Sequence, residues 1–171
     1  MKTHALMLVG VAALALAGCG SKESVKATPE GTAPAPVAAP ADAPVLAVST
    51  VQGQSVNKAE AGLVTDMIRS ELMALGRWRI IDRERMDEAL KGQVLALAGV
   101  TSDSDAVHLG KLLNAKLIGL GTYGQLMGVN VVTFRIVDVE TGLAINAGTA
   151  QGKDPAELRR EIAKMVRSFS R

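Results

Sequence analysis

The chain has 171 residues, with 19 Lys and Arg against 17 Asp and Glu, a formal net charge of +2 at pH 7. A balance this close to neutral lacks the strong basic excess that binding a nucleic-acid backbone needs, and two Phe, one Trp and one Tyr make no stacking platform, so nucleic acid is not an implied partner. The single cysteine, Cys19, closes no internal disulfide and stands in no metal-binding cluster.

The chain opens as an export signal. Lys2 gives a positive start, and "ALMLVGVAALALA" gives an apolar core well short of the roughly 20 residues a bilayer span needs. Leu16, Ala17, Gly18 and Cys19 resemble the bacterial lipobox, which implies diacylation of the Cys19 sulfur, cleavage before it and acylation of the new amino terminus. By the usual pattern of such lipoproteins, Gly20 in place of an aspartate implies the outer membrane, with the rest of the protein in the periplasm. Several acyl chains, at about 0.8 kcal/mol per buried methylene, make a durable anchor. The expected organisation is therefore a signal peptide over 1–18, a lipidated Cys19 and tether over 19–44, and one domain over 45–171.

The segment "GSKESVKATPEGTAPAPVAAPADAP" holds every proline but Pro155 and no bulky apolar residue beyond isolated valines. Such a composition cannot offset its ordering entropy and predicts a disordered, partly polyproline tether, with a reach of roughly 80 Å. That length keeps the domain fairly near the membrane.

Within the domain, "VLAVSTV" (45–51) reads as a buried strand. Asn57, with Glu60 three residues on, caps a helix whose Leu63, Val64, Met67, Ile68, Leu72 and Leu75 form the apolar face, with Asp66, Arg69, Ser70 and Glu71 opposite and Gly76 as its stop. "WRII" is a short strand, and Asp82 caps a second helix through Met86 and Leu90. "GQVLALAGVTSD" fits neither period, and Ser102 with Asp105 opens a third helix to Asn114. Three strands follow: "AKLIGLGTY", "VNVVTFRIVDVE" (apolar on both faces, hence central) and one after "VETGLAI". Pro155 opens a last helix with a stripe of Leu158, Ile162, Met165, Val166 and Phe169. The order β-α-β-α-α-β-β-β-α predicts a single α/β domain with a mixed sheet packed by helices.

No constellation for catalysis emerges. His108 is the one histidine outside the signal, and it lies within a predicted helix, where an exposed helical histidine is the ordinary reading. One histidine also argues against zinc, and "DSD" (103–105) lacks the glycine and terminal glutamate of a calcium loop. "GLGTYG" matches G-x-G-x-x-G in Gly119, Gly121 and Gly124, yet the dinucleotide fingerprint must lead from a strand into a helix. Here a strand precedes and follows, so close backbone packing is expected, with the first helix as the partner. Neither cofactor nor metal is implied. From Lys153 onward six basic residues face three acidic ones. Arg159, Arg160, Lys164 and Arg167 are thus a solvated face or a docking face for an acidic partner or anionic headgroups.

"RWRIIDRERMDEAL", "LGKLLNAKLIGLGTYG" and "VNVVTFRIVDVETGLAI", in this order, resemble the CsgG-like lipoproteins, named for the curli secretion channel. The resemblance covers roughly residues 45–151, and its relatives include the activator of a bifunctional penicillin-binding protein. The channel builds its pore from long hairpins at two connections, which here are only "GQLMG" and "AQGKD". A membrane-crossing strand takes about 9–11 residues, so no pore is expected. The resemblance implies a non-enzymatic, lipid-anchored interaction module with an envelope protein as partner, supporting assembly or secretion of a surface structure. The alternative it leaves open is a tethered regulator of a peptidoglycan-synthesising penicillin-binding protein. Self-association into a homo-oligomer stays open as well.

Overall fold

The structure, a computed structural model, describes residues 38–90 and 103–169, all within one compact unit. The signal, Cys19, most of the tether, Ser102 and nearly all of "GQVLALAGVTSD" lie outside the described residues.

The chain enters the fold pinned. Ala43 N–H donates to Pro40 O (3.0 Å), and Arg79 fastens the same segment, its Nε donating to Ala43 O and its N–H to Pro44 O. Strand β1 (Val45–Val48) follows and is buried nearly throughout. The run expected as one strand over 45–51 breaks there and resumes as β2 (Gln52–Gln54), an element the sequence did not disclose. The cause is a helix hydroxyl. Val51 N–H donates to Thr65 Oγ1 (2.9 Å), which in turn donates to Ala61 O (2.7 Å), so the amide at the joint is taken by the helix rather than by a strand.

That helix, α1 (Lys58–Leu75), starts and stops as its residues dictate. Asn57 Oδ1 accepts from Ala59 N–H (2.6 Å) and Glu60 N–H (3.3 Å), and Gly76 closes it in the left-handed region at φ 62°. Its buried stripe is Ala61, Val64, Thr65, Ile68 and Leu72; Leu63, expected inside, is 61% exposed. Then come β3 (Arg79–Ile80), α2 (Arg83–Leu90) with Asp82 Oδ1 accepting from Arg83 N–H (2.6 Å), and α3 (Asp103–Leu112). Strands β4 (Leu117–Leu126), β5 (Val129–Asp138) and β6 (Ala144–Gly152) form a meander, and α4 (Pro155–Ser168) ends the described chain.

The sheet runs β3-β1-β4-β5-β6, parallel on the β3-β1-β4 side and antiparallel across β4-β5-β6, with β2 continuing beside β4 where β1 leaves off. A single mixed α/β domain is thus what the sequence predicts, with one strand more. α1 and α4 cover one face over a core that includes Ile68, Leu72, Phe134, Ile162 and Phe169. α2 and α3 pack on the other face through Met86, Leu109, Ile118 and Val137. Phe134 and Phe169 stack with centroids 6.2 Å apart and tie α4 to the central strand.

Candidate functional site

The helix that carries the basic residues is firmly built. Asp154 Oδ1 accepts from Glu157 N–H (2.8 Å) while Glu157 Oε2 accepts from Lys153 N–H (2.8 Å), a reciprocal cap with Pro155 in the first turn. Leu158, Ile162, Met165, Val166 and Phe169 are buried as the stripe predicts. That burial turns Arg159, Arg160, Lys164 and Arg167 to solvent, all exposed on one helix. Lys164 Nζ pairs with Glu161 at 2.6 Å, whereas no ion pair among the described residues engages Arg159, Arg160 or Arg167. The structure therefore brings the four together as one face, with three cations unspent.

The residues considered for chemistry are not brought together. His108 is exposed on α3, and Gly119, Gly121 and Gly124 all lie inside β4, whose successor is the antiparallel β5. No helix amino terminus follows that would hold a pyrophosphate. The packing partner, however, is not α1. A Cβ on Gly119 would stand 2.5 Å from Phe134 Cζ, and one on Gly121 would meet Thr133 O, Phe134 and Val51. Gly119 and Gly121 make room for an aromatic ring of the neighbouring strand rather than for the first helix. Among the described residues no group of His, Cys, Asp or Glu is placed to hold a metal, and no helix is long and apolar enough to cross a membrane.

Two features escaped the sequence. Arg69, expected on the solvent face, reaches over the carboxyl end of β1, where Nη2 donates to Val48 O (3.0 Å) and lies 3.8 Å from Met86 Sδ. Burial lowers its pKa from the ordinary value, with Asp66 opposing the shift, and its Nε is buried without a partner among the described residues. The signal for it is Thr65, a polar residue within the stripe that 69 borders at i+4. The second is an open cavity of about 420 Å³ on the sheet face that α2 and α3 leave bare, lined by Gln52, Thr122, Thr133, Arg135 and Thr149 among others. Thr122 and Thr133 share a 2.6 Å hydrogen bond there. Its lining offers hydroxyls but no nucleophile beside a base.

At the connections where the channel resemblance would place membrane hairpins, β4 and β5 are joined by Met127–Gly128 alone, and β6 and α4 by Lys153–Asp154. Both are too short for a crossing strand.

A sequence profile described as "Peptidoglycan-synthase activator LpoB" matches residues 31–151. Among solved structures, the LpoB C-terminal domain from Salmonella enterica is similar at 20% identity and a TM-score of 0.55, covering 69% of this chain and 86% of that one. The Escherichia coli LpoB C-terminal domain is similar at 20% identity and 0.54, covering 65% and 83%. Lipoprotein GNA1162 from Neisseria meningitidis shares 13% identity at 0.52, covering 74% and 96%. At these identities the structural likeness carries the fold, and the profile carries the family. No protein of curated function matches the sequence.

Proposed function

The chain belongs to the peptidoglycan-synthase activator LpoB family, and on that premise we propose that it stimulates a penicillin-binding protein by docking to it from the outer membrane. It is a regulatory lipoprotein rather than an enzyme, anchored at the outer membrane with its domain in the periplasm. The observation that carries the proposal is the profile match, which spans β1 to β6 almost to the end of the sheet. That match overturns the expectation of a module serving assembly or secretion of a surface structure. It supports the alternative, a tethered regulator of wall synthesis. A wider kinship with CsgG-like proteins rests on the three quoted stretches alone, and curli assembly has no support.

In this reading Cys19 is the lipidated residue, 19–44 is the tether and 45–171 is the docking domain. The basic face of α4 is part of the contact surface. That helix begins at Pro155, beyond the matched residues, so its role is argued from this chain's own residues. Arg159, Arg160 and Arg167 are exposed and unpaired among the described residues, as charges that steer an acidic partner would be.

The test is the synthase's rate of glycan polymerisation and peptide crosslinking, with and without the lipidated protein. We expect stimulation, and a loss of association rate in the Arg159→Glu/Arg160→Glu/Arg167→Glu variant that shrinks as salt is raised. A protein that neither binds the synthase nor changes either rate would refute the proposal.

A further inference from the structure

β6 ends the sheet, and its outer edge meets no other strand among the described residues. Such an edge is a template for a further strand, and proteins normally protect it with lysines, prolines, bulges or a covering element. Here the register sets Ile136 opposite Asn146 and Val137 opposite Ala144, so Ile145 is an extra residue that bulges the first turn of the edge. Past the bulge, "NAGTAQG" (146–152) runs in register with β5 and contains no charge and no proline. The edge is open where it is flat.

Which amides face outward follows from the β4–β5 turn. Met127 and Gly128 have φ of 51° and 78°, a two-residue type I′ loop, so Leu126 and Val129 exchange both hydrogen bonds. Counting by twos, the odd residues of β5 bond to β4 and the even ones to β6. Asn130, Val132, Phe134 and Ile136 face Gly152, Ala150, Gly148 and Asn146. The N–H and C=O groups of Ala147, Thr149 and Gln151 therefore point away from the sheet, and their three side chains are exposed.

A second copy of this chain does not fit that edge in antiparallel pairing. α4 lies directly over β6, with Gly148 beneath Met165 and Phe169 and Gly152 against the backbone of Leu158. Pairing two β6 strands antiparallel about 4.8 Å apart would set both α4 helices on one face, closer than the 8–10 Å that packed helices need, and would bring two basic faces together. A lone extended segment has no such helix.

We infer that the flat edge of β6 takes an extended segment of the synthase partner as an added strand, held by the main-chain groups of Ala147, Thr149 and Gln151. This rests on the docking proposed above. Charge complementarity fixes the segment's character. The strand itself carries no charge, whereas exposed Lys153 follows it and the helix over it presents Arg159, Arg160 and Arg167, so the segment is uncharged where it pairs and acidic where it passes Lys153 and α4. Main-chain hydrogen bonds supply affinity in such additions, and side chains supply choice.

The experiment is residue-resolved hydrogen exchange on the full lipidated protein, alone and with the intact penicillin-binding protein. Alone, the amides of Ala147, Thr149 and Gln151 exchange freely while those of Asn146, Gly148 and Ala150 are protected. With the synthase bound, the first three slow. In parallel, Thr149→Pro removes an outward donor without touching the β5 ladder and weakens binding about tenfold, the loss of one main-chain bond, whereas Thr149→Val, which keeps the N–H, binds within about twofold. If Thr149→Pro does not fold, the exchange data on the natural chain decide. Binding with no change at the three amides overturns the edge inference and leaves the function standing. Absence of binding overturns both. Slowing of the three amides by a second copy alone, without the synthase, would overturn the choice of occupant.

Discussion

Gly119→Ala tests why the Gly-x-Gly-x-x-Gly spacing exists in β4. An added Cβ would lie 2.5 Å from Phe134 Cζ, where ordinary carbon contacts are about 3.5–4.0 Å, so the ring must withdraw by roughly 1 Å. It has nowhere to go, because Phe134 is 2% exposed and stacked on Phe169 at 6.2 Å. Overpacking of this kind costs about 1–3 kcal/mol, and replacing glycine in a strand returns about 0.5–1 kcal/mol. The net expectation is a loss of about 1–2 kcal/mol, or roughly 4–10 °C in Tm for a domain of this size. Urea unfolding of the mature chain followed by circular dichroism measures it. Phe134→Leu shortens the ring's reach, so the double variant should be no less stable than Phe134→Leu alone, a coupling within the 0.5–3 kcal/mol usual for touching residues. A neutral Gly119→Ala, or strictly additive losses, would refute the packing account. A nucleotide fingerprint would instead show lost nucleotide binding at unchanged stability.

Thr65→Val leaves Val51 N–H buried without an acceptor and should cost about 1–3 kcal/mol, more than Thr65→Ser, which keeps the hydroxyl; equal losses in the two variants would sink the joint described between β1 and β2. Asp138 accepts from Thr141 N–H, Thr141 Oγ1 and Glu140 N–H, chiefly the first, and these hold its carboxyl below the usual carboxylate range. Its folded-state pKa is depressed, so its contribution is present above the unfolded value and fades as pH falls through the folded one. Asp138→Asn should flatten the acid limb of the stability curve, and an unchanged limb would remove this carboxylate from the account. Cys19→Ser should leave the uncleaved precursor, and mass spectrometry finding a normally matured serine variant would end the assignment of the lipid to residue 19.

The parts of the fold that were legible are those where burial or capping forces a choice of residue. Asn57 and Gly76 bound α1 because its terminal groups need partners, and the stripe from Leu158 to Phe169 shows because one side of α4 lies on the sheet. What stayed hidden depends on contacts between distant segments. β2 exists because Thr65, on a helix thirteen residues past Gln52, captures an amide at the strand break. Arg69 looked solvated because its acceptor, Val48 O, is a backbone atom in another element. Phe134 as the tenant of Gly119 required knowing that residues 119 and 136 are cross-strand partners, which sets Phe134 on the diagonal of the same face.

Function was harder to read for a different reason. A secretion module and an enzyme regulator can share one sheet and one set of helices, so nothing that burial dictates separates them. Their difference lies in exposed surface, where composition is visible but geometry is not. Arg159, Arg160, Lys164 and Arg167 were legible as a cluster of charge, and their use was not. The β6 edge was less legible still, since its signal is which amides point outward. That parity is set by the two-residue loop at Met127–Gly128, and through β5 it passes to Ala147, Thr149 and Gln151. A loop one residue longer would change the pairing that follows from it. The short connection that argues against a pore therefore also determines what the far edge of the sheet can offer a partner.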